Sequence, residues 1–246
     1  AADAVGYLGR VLHDDGTPLG TCFQVDPYVL VTAHHVLAEM GRGDVGAVVP
    51  VEPMSDRPTA TAAGAVLARV ERIDVDGDIA VLRAEAPFVS SIPVLVYSAI
   101  QASGVKVTLI GFAQRREEDG LEVRYDIFPA NGVWEGLAQE SGGVVPRYHV
   151  IADGVERGMS GCPVRRVSDG AVVGMLRERF NSADAWSAGR VLVTPTERLE
   201  QALAGIADVP VERRQAASQV RERLAGTQLV RRRLVEDSTY REPPEW

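Results

Sequence analysis

Apolar residues in this chain come in short runs. The first set reads Val5–Leu12, Thr21–Val25, Tyr28–Thr32, Val45–Val51, Ala65–Ile73 and Ile79–Arg83. Each run has strand length and is rich in β-branched residues. Turn residues such as His13-Asp14-Asp15-Gly16 and Asp26-Pro27 separate them. Alternation of apolar and polar positions is imperfect, so the strand assignment rests on length and β-branching more than on a period of two. A second set comprises Val105–Phe112, Leu121–Trp134, Tyr148–Ala152, Cys162–Val167, Ala171–Leu176 and Arg190–Thr194, with a charged turn at Arg115–Gly120. Between the sets, Ala84–Ser103 carries Pro87 and Pro93 and reads as a connector. The pattern predicts an all-β chain with two strand clusters, each large enough to close into a small barrel.

After Pro195 the pattern changes to a helical one. Thr196–Ile206 has a capping threonine, an acidic residue (Glu197) in its first turn, and apolar positions at Leu199 and Leu203. Asp208-Val209-Pro210 ends it and is expected to open a second helix running to about Leu224, with Val220 and Leu224 on one face. Arg231–Trp246 reads as a linker or tail. The expected organisation is a domain over residues 1–206 and a helical or linker extension over 207–246.

Composition narrows the picture. Of 246 residues, 46% are apolar, which supports a sizeable core. The formal net charge of −8 argues against nucleic acid as a partner. The sequence holds no apolar run long enough to cross a bilayer, so membrane insertion is not expected; no signal peptide is visible at its start, and the default location is cytoplasmic, although a cleaved leader would leave no trace. Two cysteines exclude a disulfide-dense scaffold. No His/Cys/Asp cluster has metal-ligand spacing, and no cofactor is expected.

The candidate chemistry centres on Gly158-Met159-Ser160-Gly161-Cys162-Pro163. Glycines on both sides of a serine allow a tight turn with uncovered amide groups. A serine hydroxyl becomes a nucleophile only with a base and a site for the developing oxyanion. Upstream, Val29-Leu30-Val31-Thr32-Ala33-His34-His35-Val36 presents histidine at the end of a strand. Between them, Asp78-Ile79-Ala80-Val81-Leu82 opens an apolar strand with an acid. A lone Gly-x-Ser-Gly is usually only a turn. It is the order His, Asp, Ser along one chain that points to catalysis. His34 competes with His35 for the base, and Asp74 and Asp76 compete with Asp78 for the acid from a loop that reads as solvated. His13 and His149 read as surface or structural.

These segments resemble those of trypsin-like (chymotrypsin-fold) serine proteases, in particular the bacterial intracellular and HtrA-like branch. Gly20-Thr21-Cys22-Phe23-Gln24-Val25 resembles the strand before the histidine. Thr32-Ala33-His34-His35-Val36 resembles Thr-Ala-Ala-His-Val. Asp78-Ile79-Ala80-Val81-Leu82 resembles the acid-bearing segment, and Gly158–Pro163 resembles Gly-Asp/Asn-Ser-Gly-Gly-Pro. The resemblance covers roughly Val5–Ile206. It implies two six-stranded antiparallel barrels, at about 1–90 and 98–195, with a closing helix at 196–206. It makes Ser160 the nucleophile, His35 the base, Asp78 the orienting acid, and the amides of Gly158 and Ser160 the oxyanion hole. By the same analogy the substrate pocket involves Asp153, Gly154, Val172, Gly174 and Leu176, with Asp153 or Asp184 as candidates for attracting a basic side chain. The implied partner is a protein or peptide substrate, with a regulatory module coupled through the C-terminal extension. Two rival readings are a partner-binding module on the same fold and an esterase with the same triad.

The chain departs from that family in two places. Met159 stands where secreted members have an aspartate that pairs with a new N-terminus, so activation by an N-terminal ammonium is not expected, and the loop at 153–160 has to be ordered by packing, substrate or a partner. Cys22 and Cys162 both replace glycines on strands that approach each other in the family fold. They are expected to be neighbours, either bonded as a disulfide across the barrels or reduced and buried. Cys162 lies past the oxyanion turn and is not expected to be the nucleophile.

Overall fold

In the computed structural model, residues 6–53, 64–87, 93–98, 101–116, 123–138, 147–179, 189–209 and 211–212 are described. Contacts divide the chain into two units, Ala1–Val211 and Glu212–Trp246, and both barrels belong to the first. Six strands, β1 (Leu8–Leu12), β2 (Pro18–Asp26), β3 (Val29–Ala33), β4 (Val48–Pro53), β5 (Val66–Asp74) and β6 (Ile79–Ala84), close in the order β1-β2-β3-β6-β5-β4. A six-residue helix, α1 (His34–Glu39), starts directly at the end of β3. After the two-residue β7 (Leu95–Val96), a second six-stranded barrel forms from β8 (Lys106–Arg116), β9 (Val123–Ala138), β10 (Arg147–Ala152), β11 (Pro163–Arg166), β12 (Val172–Arg179) and β13 (Arg190–Pro195). Its order is β11-β8-β9-β10-β13-β12, closed by pairing of β11 with β12. The closing helix α2 covers Thr196–Leu203. The expected all-β architecture of two antiparallel barrels is therefore what the chain adopts.

The imperfect alternation has a physical cause. β1 and β3 are buried at every position, and β6 at all but one. One face of each fills the barrel and the other is covered, so both faces select apolar residues. Part of the cover comes from the second half of the chain. Val172, Met175, Leu199, Leu203 and Val211 all belong to the first-barrel core. The second barrel has its own core around Trp134, Val150, Met159, Cys162 and Val193, with Trp134 stacked on Tyr148 at 5.2 Å between ring centres.

Two expectations are corrected. The connector Ala84–Ser103 contains β7, whose Leu95 pairs in parallel with Val172; a two-residue strand flanked by Pro93 is too short to give a periodic signal. The N-cap of α2 is Pro195 and not Thr196. Thr196 is fully buried, and its hydroxyl donates to the Val96 carbonyl at 2.7 Å, so it ties the helix start to β7. The expected helix from Asp208 to Leu224 lies largely outside the described residues. Within it, Val211–Glu212 is extended strand (β14).

Candidate active site

The first barrel brings the histidine and the acid together through sheet register. β3 and β6 are antiparallel neighbours, with Thr32 opposite Ala80 and Ala33 opposite Ile79. The residue after Ala33 and the residue before Ile79 therefore meet at one barrel end. The His34 amide donates to the Asp78 carbonyl at 3.1 Å. The His35 amide donates to Oδ1 of Asp78 at 2.9 Å, and Nδ1 of His35 lies 2.8 Å from Oδ2. An ionised carboxylate only accepts, so Nδ1 carries the proton and Nε2 is the basic nitrogen. Asp78 is 5% exposed, whereas the His35 side chain is 36% exposed. The acid is sheltered and the base faces outward. Asp78 has φ of +54°, the left-handed region, which among the described residues no other non-glycine adopts. His34 turns away, its Nε2 lying 3.1 Å from the Gly43 carbonyl.

The two rival acids serve the turn itself. Asp74 accepts from the Gly77 amide at 3.1 Å and is held in two-pronged fashion by Arg198 of α2, whose Nη2 lies 2.8 Å from Oδ1. Burial alone would raise the Asp74 carboxyl, but the guanidinium and the amide outweigh it and hold it below its ordinary range. Asp74 is thus half-buried and paired, which corrects its reading as part of a solvated loop. Thr194 of β13 donates to the Gly77 carbonyl at 2.6 Å. Nη1 of Arg177 in β12 donates to the Asp76 carbonyl at 3.1 Å, and its Nε lies 3.8 Å from Oδ2 of Asp78.

The loop bearing Ser160 joins β10 to β11 and rests on the first barrel through Thr21. The Thr21 amide donates to the Ser160 carbonyl at 2.9 Å. Its hydroxyl donates to the Gly158 carbonyl at 2.9 Å and accepts from the Phe112 amide at 2.9 Å. The Arg157 carbonyl accepts from the Gln114 amide at 2.8 Å, and the Gly161 amide donates to the Leu176 carbonyl at 2.9 Å. With the carbonyls of 157, 158 and 160 so engaged, the amides of Gly158 and Ser160 have no acceptor among the described residues. Gly158 and Gly161 have φ of +91° and +86°. A Cβ on Gly158 would lie 2.6 Å from the Phe112 carbonyl oxygen, and one on Gly161 would lie 2.6 Å from Oγ1 of Thr32 and 2.9 Å from the Ala33 nitrogen. Both positions require glycine. The second contact brings the serine loop against the strand end that presents His35.

Met159 shows how the loop is ordered. It is fully buried within the second-barrel core. Its amide donates to the Glu156 carbonyl at 3.3 Å, and its sulfur accepts from the Glu156 amide at 3.4 Å. Packing holds the turn from inside. Ser160 is half-buried. Its hydroxyl has no hydrogen-bond partner among the described residues, so no bond to His35 is made here. Such links commonly tighten only when substrate binds.

The candidate pocket residues are dispersed. Val172 and Leu176 are buried in the first and second cores respectively, and Gly174 is buried between strands. Asp153 is exposed and lines a groove of about 450 Å³ with Lys106, Val133, Ile151 and Val167, none of them from the serine loop. Gly154, with φ of +79°, packs under Phe128. Asp184 lies outside the described residues. Cys22 and Cys162 are free thiols, one in each barrel core, so of the two alternatives for this pair the disulfide is not the one adopted. Burial pushes both thiols up, which keeps them protonated and unreactive near neutral pH. Among the described residues no group of His, Cys, Asp or Glu is arranged to hold a metal ion, and no helix is long and apolar enough to cross a membrane.

Sequence reading missed Thr21, Arg177, Thr194 and Arg198. Thr21, Arg177 and Thr194 are polar residues at the edges of apolar runs and Arg198 sits on a helix, signals with no meaning until the packing partner is known.

Comparison with known proteins agrees with this fold. The family model of the trypsin-like peptidase domain matches residues 20–175. No curated protein sequence matches. Among solved structures, the inactive form of the Rv3671c protease is similar, with 21% identity over 84% of this chain and 92% of that one, at a TM-score of 0.59. The active form of the same Mycobacterium tuberculosis protease matches with 21% identity over 86% and 85%, at a TM-score of 0.58. The HtrA-type protease AlgW with a decapeptide matches with 16% identity over 82% of this chain and 66% of that one, at a TM-score of 0.59. The chain belongs to the trypsin-like peptidase family and is a serine protease.

Proposed function

We propose that this protein is an endopeptidase in which Ser160, His35 and Asp78 act as one catalytic unit. The observation that carries the reading is the double hydrogen bond of Asp78 to the His35 amide and imidazole, with a serine loop whose Arg157, Gly158 and Ser160 carbonyls are engaged elsewhere. Ser160 Oγ attacks the peptide carbonyl as Nε2 of His35 takes its proton. Asp78 holds Nδ1–H and stabilises the imidazolium. The oxyanion forms where the uncommitted amides of Gly158 and Ser160 can donate to it, an arrangement worth about 3–4 kcal/mol per donor in related chemistry. The imidazolium then protonates the departing amine, and water, activated by the same nitrogen, releases the acyl group from Ser160.

The substrate is a protein or peptide. AlgW, whose structure is solved with a decapeptide, supports that class by fold likeness alone. The segment beyond 212 couples the catalytic unit to a regulatory module, and the protein works in the cytoplasm on neither nucleic acid nor membrane. Gly154, Val172, Gly174 and Leu176 belong to the segments that bound the substrate pocket. A fluorophosphonate probe tests the catalytic reading: it should label the protein at Ser160 and fail on Ser160→Ala. No labelling of the parent protein would sink it. A peptide library then sets the side-chain preference and separates peptidase from esterase.

A further inference from the structure

The catalytic unit leaves one charged neighbour without a role. Arg177 follows Leu176 on β12, and Leu176 is the residue that binds the serine loop: it accepts from the Gly161 amide at 2.9 Å and donates to the Cys162 carbonyl at 2.8 Å. The Arg177 side chain is 21% exposed. Its Nη1 donates to the Asp76 carbonyl at 3.1 Å, and its Nε stands 3.8 Å from Oδ2 of Asp78. That same oxygen accepts the His35 Nδ1 proton at 2.8 Å. Removing most of a guanidinium from water is unfavourable. Closing a barrel does not require a cation at this position.

We infer that Arg177 is a positioning residue of the catalytic unit: it holds the acid-bearing turn of the first barrel against β12, the strand that binds the serine loop, and shares the Asp78 carboxylate with His35. The inference rests on the roles proposed for His35, Asp78 and Ser160. The geometry has two physical consequences. First, Asp78 keeps a left-handed backbone that a non-glycine residue holds only when its surroundings enforce it, and the bond from Arg177 to the nearby Asp76 carbonyl is one such restraint. Second, a permanent cation beside Asp78 opposes protonation of His35, offsetting part of the carboxylate's pull. The charged and titratable groups about the pair include Arg177 from β12, Asp74 and Asp76 on the acid turn, Arg198 from α2 on Asp74, and His34 on α1 turned toward Gly43. Arg177 is the cation placed on the Asp78 oxygen that His35 uses.

The test is the rate of fluorophosphonate labelling of Ser160 from about pH 5 to 9, across the range where a histidine titrates, in the parent protein, Arg177→Gln and Arg177→Lys. The expected result is an acidic midpoint raised by about one pH unit in Arg177→Gln, hence roughly tenfold slower labelling below the midpoint. Arg177→Lys should stay near the parent midpoint even if its plateau falls. Arg177→Met, which keeps the buried stem, carries the same expectation and replaces the glutamine variant if that one does not melt cooperatively. An unchanged midpoint in the uncharged variants overturns the proposal, whatever happens to the plateau, because a merely structural role lowers the plateau without moving the midpoint. If the parent protein does not label at all, the catalytic reading has failed instead. NMR titration of the His35 imidazole in the same variants then decides the role of Arg177, with the same upward shift expected and no shift overturning it.

Discussion

At the residue scale, single atoms set the state of the site. Thr21 uses its amide and its hydroxyl to bind Ser160, Gly158 and Phe112. Thr21→Val preserves shape and removes the hydroxyl, leaving the Gly158 carbonyl and the Phe112 amide unpaired. Each buried orphan costs about 1–3 kcal/mol. We expect kcat/KM to fall roughly tenfold to a hundredfold, an amount equivalent to that cost, with the fold intact by circular dichroism. Asp78→Asn keeps the shape of the acid but lets Nδ1 of His35 accept, which puts the imidazole in the wrong tautomer. A loss of about 10⁴ in kcat is expected from steady-state kinetics on the best library peptide. A variant as active as the parent would remove Asp78 from the mechanism.

At the element scale, the serine loop and the acid turn are each held by packing from inside and by side chains from across the junction. Met159 anchors the first. Truncating a fully buried methionine to alanine costs about 2–5 kcal/mol, so Met159→Ala should lower the melting temperature and slow Ser160 labelling together. If packing of Met159 rather than an N-terminal ammonium orders this loop, removing residues from the N-terminus up to Ala4 should leave labelling unchanged. The acid turn responds to pH. Burial works to raise the Asp74 carboxyl, yet Arg198 and Gly77 hold it below its ordinary value. Its contribution to stability is therefore complete above the unfolded value, near 3.9, and is lost as pH falls through the lower folded value. Melting curves between about pH 2 and 6 should show this acid-labile increment in the parent protein and a weaker one in Arg198→Gln.

At the scale of the whole molecule, the first barrel is closed in its hydrogen bonding but not in its core. Val172 and Met175 from β12, and Leu199 and Leu203 from α2, complete it. A fragment spanning residues 1–90 would expose that face and should show no cooperative melt, whereas 1–212 should melt as one transition by calorimetry. A stable 1–90 fragment would show that the barrels fold independently. Interdependence of the two halves also explains why catalytic geometry and stability are linked here: Arg177, Thr194 and Arg198 brace the acid turn from the second half of the chain.

What the sequence determined by itself is local. Strand-length runs separated by turn residues specify two sets of strands, because β-branched segments of that length cannot bury themselves any other way. The proposed catalytic residues His35, Asp78 and Ser160 were legible as candidates because each sits in a short segment whose backbone demands are also local: a strand end, a strand start, and a serine between glycines at positive φ. The tertiary structure decided everything that depends on register and on contacts between distant segments. It sent the His35 ring to Asp78 and the His34 ring to Gly43. It assigned Asp74 to Arg198, and so left Asp78 to the histidine. It put Cys22 and Cys162 into separate cores as free thiols, and set Asp153 in a groove lined by Lys106, Val133, Ile151 and Val167. The physical reason is the same in each case. A residue type limits what a side chain can do, but the sign and strength of its interactions depend on which partner closure of the barrels brings within about 4 Å.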